Sequence, residues 1–408
     1  MSVLVAPLQS LVQDLLSSVK IGWGADRGRI NLTASDPLME RCSTREVHFF
    51  RLDENTGQRA YRIGAKDAEG VLRWQAEQIF STPYSRFTAH SGHQANKAVL
   101  KALLEPGDPV ICLPDPELEN ALDTLYVSAY TPRLRRYSAV SHANHVVDYD
   151  ALAQQIDQIR PRCVVAGYTS YTRHLDYRAL RQLADSVGAR LVVDISRVAG
   201  LVAAELIPNP IEYADVVTGA SHKSLQGPRG GFFMSRDAGL FNRISTSLAA
   251  IGHGSVPHRL LLTMINCLNQ AKSPLQIARH QLSLRNARVM ASTFEELGLE
   301  VVCGGTDVHS IALNLRPLNL SVQQAAAALA RLGITIERAE APHLVISTFP
   351  ISARGFDTPA CQQLAWAIGT TLKHRNDLKT VARGIAAIDS LCTKHPPLVT
   401  ALDYLNLQ

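Results

Sequence analysis

From Gly70 to Met234, short apolar runs without period-two alternation take turns with amphipathic segments at helical spacing. A strand that is apolar at every position is covered on both faces, and amphipathic helices are what cover it. The pattern therefore predicts a largely parallel sheet wrapped by helices, an α/β domain. The expected elements are a helix from Val71 to Phe80, a strand at Phe87–Thr88, a helix from Gln94 to Leu104 and a strand from Pro109 to Leu113. A helix from Tyr149 to Ile159, a strand from Cys163 to Ala166, a helix from Tyr177 to Val187 and a strand from Arg190 to Val193 follow. Strands from Ala214 to Thr218 and from Gly231 to Met234 close the series. Beyond it, a long helical stretch from His258 to Leu297 leads to a strand from Val308 to Leu315, a helix from Val322 to Leu332 and a strand from His343 to Thr348. This α+β pattern predicts a second, smaller domain. The division expected is an N-terminal helix and arm at 1–40, a large domain at 41–285 and a small C-terminal domain at 286–408.

The chain has 408 residues, 46% hydrophobic and 19% charged, enough to bury a sizeable core. The formal net charge of +5 comes from scattered Lys and Arg, which argues against a nucleic-acid partner and suits an anionic small molecule. The seven Cys are widely spaced, odd in number and without a CxxC pair, a pattern of reduced thiols in a cytoplasmic protein rather than of disulfides or a metal site. Residues 1–20 alternate at helical spacing without a basic leader, and no apolar stretch approaches the ~20 residues that span a bilayer. No membrane partner is expected.

Chemistry is concentrated in the run Ser221-His222-Lys223-Ser224-Leu-Gln-Gly-Pro-Arg-Gly-Gly231. A lysine at the end of a buried strand, within a loop of small hydroxyl and glycine residues, has its ammonium desolvated and is primed as an amine nucleophile toward an aldehyde. Ser221 and His222 are placed to donate to a phosphate. A second run, His90-Ser91-Gly92-His93-Gln94-Ala-Asn, precedes a helix, where backbone N–H groups form a ready anion cradle; the plain alternative is a helix cap. A third, Leu191-Val-Val-Asp194-Ile-Ser-Arg197-Val-Ala-Gly-Leu, puts a carboxylate at the end of a parallel strand, where such sheets place ligand contacts.

These three runs resemble the serine hydroxymethyltransferases, whose lysine segment has the form His-Lys-Thr/Ser-Leu-x-Gly-Pro-Arg-Gly-Gly. The resemblance implies a pyridoxal 5′-phosphate (PLP) transferase of fold type I, with a large, mainly parallel sheet of seven strands and a small α+β domain. It implies Lys223 as the Schiff-base lysine and Asp194 as partner of the pyridine nitrogen. Ser91, Gly92, His93, Thr169, Ser221 and His222 fall around the phosphate and ring, and Arg197 stands where the family has a His close to the ring. Asn120 lies in the neighbourhood where the family stacks a His on the cofactor. Gly254 and Ser255 stand near a segment that reaches a partner subunit's cofactor, which implies a homodimer with shared sites. Ser35 and Arg354 match substrate-side segments.

The departures fall on the substrate side. Val345 occupies the place of an Arg that clamps the amino-acid carboxylate in the family, and an apolar residue makes no such pair. The folate-side loop is rebuilt, with Asp53 or Glu54 standing for the family's proton-handling Glu and Tyr61 retained, so tetrahydrofolate use does not follow from the resemblance. The implied chemistry is formation of a substrate aldimine and a quinonoid carbanion at the α-carbon of an amino acid or derivative. Aldol, hydroxymethyl or transaldol transfer in specialised biosynthesis leads, with decarboxylation, elimination or oxidation of a carboxylate-masked amino acid as alternatives. A non-catalytic binding protein of the same fold is the contrasting class, disfavoured because packing requires neither Lys223 nor Asp194.

Overall fold

The computed structural model describes residues 30–32, 65–113, 145–167, 171–252, 258–336 and 343–396. In chain order these form β1 (Ile30–Asn31), α1 (Ala65–Phe80), β2 (Tyr84–Ala89), α2 (Gly92–Leu103), β3 (Val110–Cys112), α3 (Tyr149–Ile159) and β4 (Cys163–Ala166). Next come α4 (Tyr177–Ser186), β5 (Arg190–Asp194), α5 (Ala199–Ala203), β6 (Val216–Ala220), β7 (Gly231–Ser235), α6 (Ala238–Ala250), α7 (His258–Gln270) and α8 (Pro274–Glu296). The chain continues with β8 (Ser310–Asn314), α9 (Val322–Ala330), β9 (Ile334–Thr335), β10 (His343–Ser347), α10 (Phe349–Ala353), α11 (Thr358–Lys373) and α12 (Leu378–Lys394).

Six strands make one sheet in the order β2-β7-β6-β5-β4-β3. Strands β3 to β6 run parallel, as helical crossovers require. The connection from β6 to β7 carries no helix, so β7 returns antiparallel to β6, and β2 is antiparallel to β7. The sheet is thus mixed, and it has six strands among the described residues where seven were expected. Successive side chains feed two apolar layers. Val164, Leu191, Val193, Val217 and Phe232 enter one, and Val165, Val192, Val216 and Phe233 enter the other. This double burial is why the strands read as unbroken apolar runs.

The second core forms around the antiparallel ribbon β8–β10 and the helices α8, α9, α11 and α12. Ile30 and Leu32 are fully buried in it, β1 pairs in parallel with β9, and the Ser347 N–H donates to the Leu32 carbonyl at 3.0 Å. This part of the N-terminal arm therefore packs as a strand with the second core; the helix expected before it lies outside the described residues.

The helical stretch expected from His258 to Leu297 is broken rather than continuous. Pro274 cannot continue a helix from within, but it suits the first turn of α8, which Ser273 caps by accepting the Gln276 N–H at 3.3 Å. Helix α8 then passes from one core to the other, with Leu284 packed on the sheet cluster and Ala287, Met290 and Phe294 on the small-domain cluster. The ribbon is two-faced in the same way. Leu344 and Ile346 point into the small-domain core, whereas Val345 and its cross-strand partner Ala312 pack with the sheet domain.

Candidate active site

The carboxyl ends of β5 and β6 meet the start of α2, and the three sequence runs converge there. Ser91 caps α2, its Oγ accepting the Gln94 N–H at 3.1 Å, while Gln94 Oε1 accepts the His90 N–H at 2.7 Å. The N–H groups of this first turn lie at the positive end of the helix dipole, which favours negative charge there. Close approach dictates the small residues. A Cβ on Gly92 would lie 2.8 Å from Ser196 Oγ, and one on Gly231 would lie 2.1 Å from the Ser91 carbonyl oxygen. Only glycine lets the start of β7 back directly onto the Ser91–Gly92 turn.

The lysine loop folds tightly on itself. The Ser221 N–H donates to the Gly230 carbonyl, the Gly227 N–H to the Ser221 carbonyl and the Gln226 N–H to the Lys223 carbonyl, with Gln226 itself at φ 60°. Lys223 and His222 are each 7% exposed and Ser224 is 1% exposed, its Oγ accepting the Gly200 N–H at 3.0 Å. The Ser221 hydroxyl donates to the Pro228 carbonyl at 2.6 Å, which closes the loop on itself.

Asp194 ends β5 and is buried. Burial raises its proton affinity, and three neighbours oppose that. Its Oδ1 accepts the Ser196 N–H at 2.6 Å, its Oδ2 accepts from Asn96 Nδ2 at 2.6 Å, and the Lys223 ammonium stabilises the anion electrostatically. Asn96 and Thr218 were not singled out from sequence. Asn96 falls four residues after Gly92 on the buried face of α2, and that spacing was the available signal.

Arg197, three residues past Asp194, is 3% exposed. Desolvation pushes buried His309 down to about 3, with His280 and then the Arg197 charge adding to it. His280, pushed down to about 4 chiefly by burial, stacks on Phe349 at 4.7 Å, and His309 meets the same ring edge-on at 6.1 Å. Arg197 thus stands where the strand ends face the small-domain elements that carry His309 and Phe349.

The structure gathers Ser91, Gly92, His93, Asp194, Arg197, Ser221, His222 and Lys223 at or beside these strand ends. Val345 instead packs against Ala312 in the ribbon. Arg354 donates from Nε to the His395 carbonyl at 2.9 Å and lies over the Phe356 ring, inside the small domain. Ser35, Asp53, Glu54, Tyr61, Asn120, Thr169, Gly254 and Ser255 lie outside the described residues. Among the described residues no cluster of His, Cys, Asp and Glu suits a metal ion, and no helix is long and apolar enough to cross a membrane.

The donor set fits PLP: a buried lysine to carry the aldehyde carbon, a buried hydrogen-bonded carboxylate for the ring nitrogen and a helix N-terminus lined by small residues for the phosphate. Comparison with known proteins agrees. The family model of serine hydroxymethyltransferase matches residues 57–368. "Serine hydroxymethyltransferase 2" of Pseudomonas syringae pv. syringae is 34% identical over 337 residues, 79% of this chain and 80% of that protein. "Serine hydroxymethyltransferase 3" of Pseudomonas fluorescens is 33% identical over 343 residues, 80% of this chain and 82% of that protein. "Serine hydroxymethyltransferase 2" of Pseudomonas putida is 32% identical over 336 residues. The fold, the converging runs and these relatives lead to one assignment: the chain belongs to the serine hydroxymethyltransferase family of PLP-dependent, fold type I transferases.

Proposed function

We propose that Lys223 carries PLP, that Asp194 faces the ring nitrogen and that Arg197 holds the carboxylate of a small amino-acid substrate in an aldol-type or hydroxymethyl transfer. The observation that carries this reading is the pairing of Lys223 with Asp194. Both are more than nine-tenths buried, and they sit within electrostatic reach of one another at the ends of adjacent parallel strands. Burying a cation near a buried anion is costly in desolvation, which suits a site built for a charged ligand.

When bound, PLP supplies an electron sink for negative charge developing at the substrate α-carbon. The chain's own residues serve that chemistry as follows. Burial raises the proton affinity of Asp194, and the hydrogen bonds from Asn96 and Ser196 partly offset that rise, favouring the carboxylate form that would pair with a protonated ring nitrogen. The start of α2, with Ser91, Gly92 and His93, would hold the phosphate, and His222, beside Lys223, would lie near the ring. Arg197 offers a guanidinium three residues beyond Asp194, replacing from just past the end of β5 the charge that Val345 lacks on β10.

Exchange of the carboxylate-binding position favours a specialised substrate, in aldol, hydroxymethyl or transaldol transfer within a biosynthetic pathway, over the housekeeping reaction. Asp53, Glu54 and Tyr61 are proposed to move protons, with Thr169, Asn120 and Ser35 completing the cofactor and substrate surfaces. Gly254 and Ser255 are proposed to reach the site of a second subunit in a cytoplasmic homodimer.

The visible spectrum of the purified protein tests this, recorded with amino acids added singly and with Lys223→Ala as control. A Schiff-base band that Lys223→Ala abolishes, and that one amino acid shifts to long wavelength, supports the reading. A protein that stays colourless with added PLP overturns it.

A further inference from the structure

Asp194 is held by a hydrogen-bond chain that runs in one direction through the protein. Thr218 Oγ1 donates to Asn96 Oδ1 at 2.5 Å, and Asn96 Nδ2 donates to Asp194 Oδ2 at 2.6 Å. The three residues come from three elements. Asn96 is on α2, Thr218 is on β6, and Asp194 is on β5, in register with Thr218. All are buried: Thr218 is 0% exposed, Asn96 4% and Asp194 6%.

Side-chain chemistry fixes the direction. An ionised carboxylate accepts only, so Asn96 presents its amide NH₂ to Asp194. Its carbonyl then requires a donor, and the Thr218 hydroxyl is the donor within reach. Because the Ser196 N–H takes the other carboxylate oxygen at 2.6 Å, the carboxylate plane is held from both sides. The Ile195 N–H, donating to the Thr218 carbonyl at 2.8 Å, locks the strand end that carries Asp194 to the strand that carries the hydroxyl.

We propose that Asn96 and Thr218 are positioning residues for the cofactor ring, a relay that orients the Asp194 carboxylate and keeps its Oδ2 from rotating away. The inference rests on the reading that Asp194 serves the ring nitrogen of PLP. Neither relay residue reacts; each acts through Asp194. The same contact ties α2, whose first turn faces the phosphate, to the carboxylate that faces the ring. One chain of hydrogen bonds therefore sets the spacing between the two anchor points of the cofactor.

The test compares Asn96→Ala, Thr218→Val and Thr218→Ser with the wild-type holoenzyme in three measurements: the PLP dissociation constant, the position of the bound-cofactor absorption band, and kcat and KM. Thr218→Val keeps the shape and removes the hydroxyl; Thr218→Ser restores it. Asn96→Ala is expected to weaken PLP about tenfold or more, as loss of an outer-shell orienting partner typically does, and to move the band. Thr218→Val is expected to do the same to a lesser extent, with kcat falling more than KM rises, and Thr218→Ser to return all three readouts toward wild type.

If Asn96→Ala fails to fold, the Thr218 pair decides the question. Unchanged PLP affinity and an unmoved band in Thr218→Val overturn the relay while leaving the PLP reading intact. A wild-type protein that binds no PLP overturns both.

Discussion

The two sides of the site are built to different standards of likeness to the family. On the cofactor side, Lys223, Asp194 and the Ser91–Gly92 turn stand where the family pattern puts them, and close approach allows little else. Gly231, for instance, backs onto the Ser91 carbonyl with no room for a side chain. On the substrate side, the clamping position holds Val345, which faces Ala312 in an apolar contact, and the buried guanidinium stands at Arg197 instead. A cofactor must be held the same way whatever is done with it, so its pocket has few solutions. A substrate pocket is where one chemistry is redirected, and there the charge is proposed to stand at the end of a sheet strand rather than on the ribbon.

Ways to break that comparison follow in order of expected effect. Lys223→Ala removes the group proposed to carry the cofactor, and turnover is expected to fall about a thousandfold or more, measured as kcat on the substrate that shifts the spectrum. Asp194→Ala leaves the ring without its counter-charge, with an expected loss of about 10²- to 10³-fold in kcat while PLP remains attached through Lys223. The two together define the cofactor side. Retention of wild-type turnover by either variant would dissolve the distinction drawn here.

The substrate side is sharpened by Arg197→Lys. A lysine keeps the charge but loses the planar fork, so KM for a carboxylate substrate is expected to rise about tenfold or more with little change in PLP affinity. An unchanged KM would mean that the carboxylate is held elsewhere or is masked in the true substrate.

The smallest effect is on stability. Buried His280 and His309 resist protonation when folded, being pushed down to about 4 and about 3, whereas an unfolded imidazole titrates near 6.5. Below about pH 6.5 the unfolded chain binds protons that the folded chain does not, so stability is expected to fall as pH drops from 6.5 toward 4. The slope is up to about 1.4 kcal/mol per pH unit for each imidazole. Urea unfolding at pH 7 and pH 5 measures it, and His280→Gln is expected to make the dependence shallower.

Much of the architecture was legible because burial on both faces writes itself into composition. Cys163–Ala166 and Tyr149–Ile159 are read from sequence with the bounds they have in the structure. Physical punctuation explains what was less legible. The Ser273–Pro274 cap splits what reads as one helical stretch. The helices α11 and α12 are capped by Asp357 and Asp377, whose carboxylates accept N–H groups of the first turn and are the sequence signal for these starts. The pairing of Ile30 with Ile334 spans most of the chain and has no local signature.

The site divides in the same way. Lys223 and Asp194 were found because the residues around them form recognisable runs. Asn96 lay inside such a run, yet its role depends on a carboxylate 98 residues away and a hydroxyl 122 residues away, which only the folded sheet brings together. The imidazoles of His280 and His309 likewise acquire meaning only when both pack on the Phe349 ring.

The central claim is that Lys223 carries the cofactor. Borohydride reduction of the PLP-loaded protein, followed by proteolysis and mass mapping, tests it most directly. The account expects one phosphopyridoxyl group, on the peptide containing Lys223, and none after Lys223→Ala. A label on a different lysine, or no covalent label on a protein that has bound PLP, would contradict it.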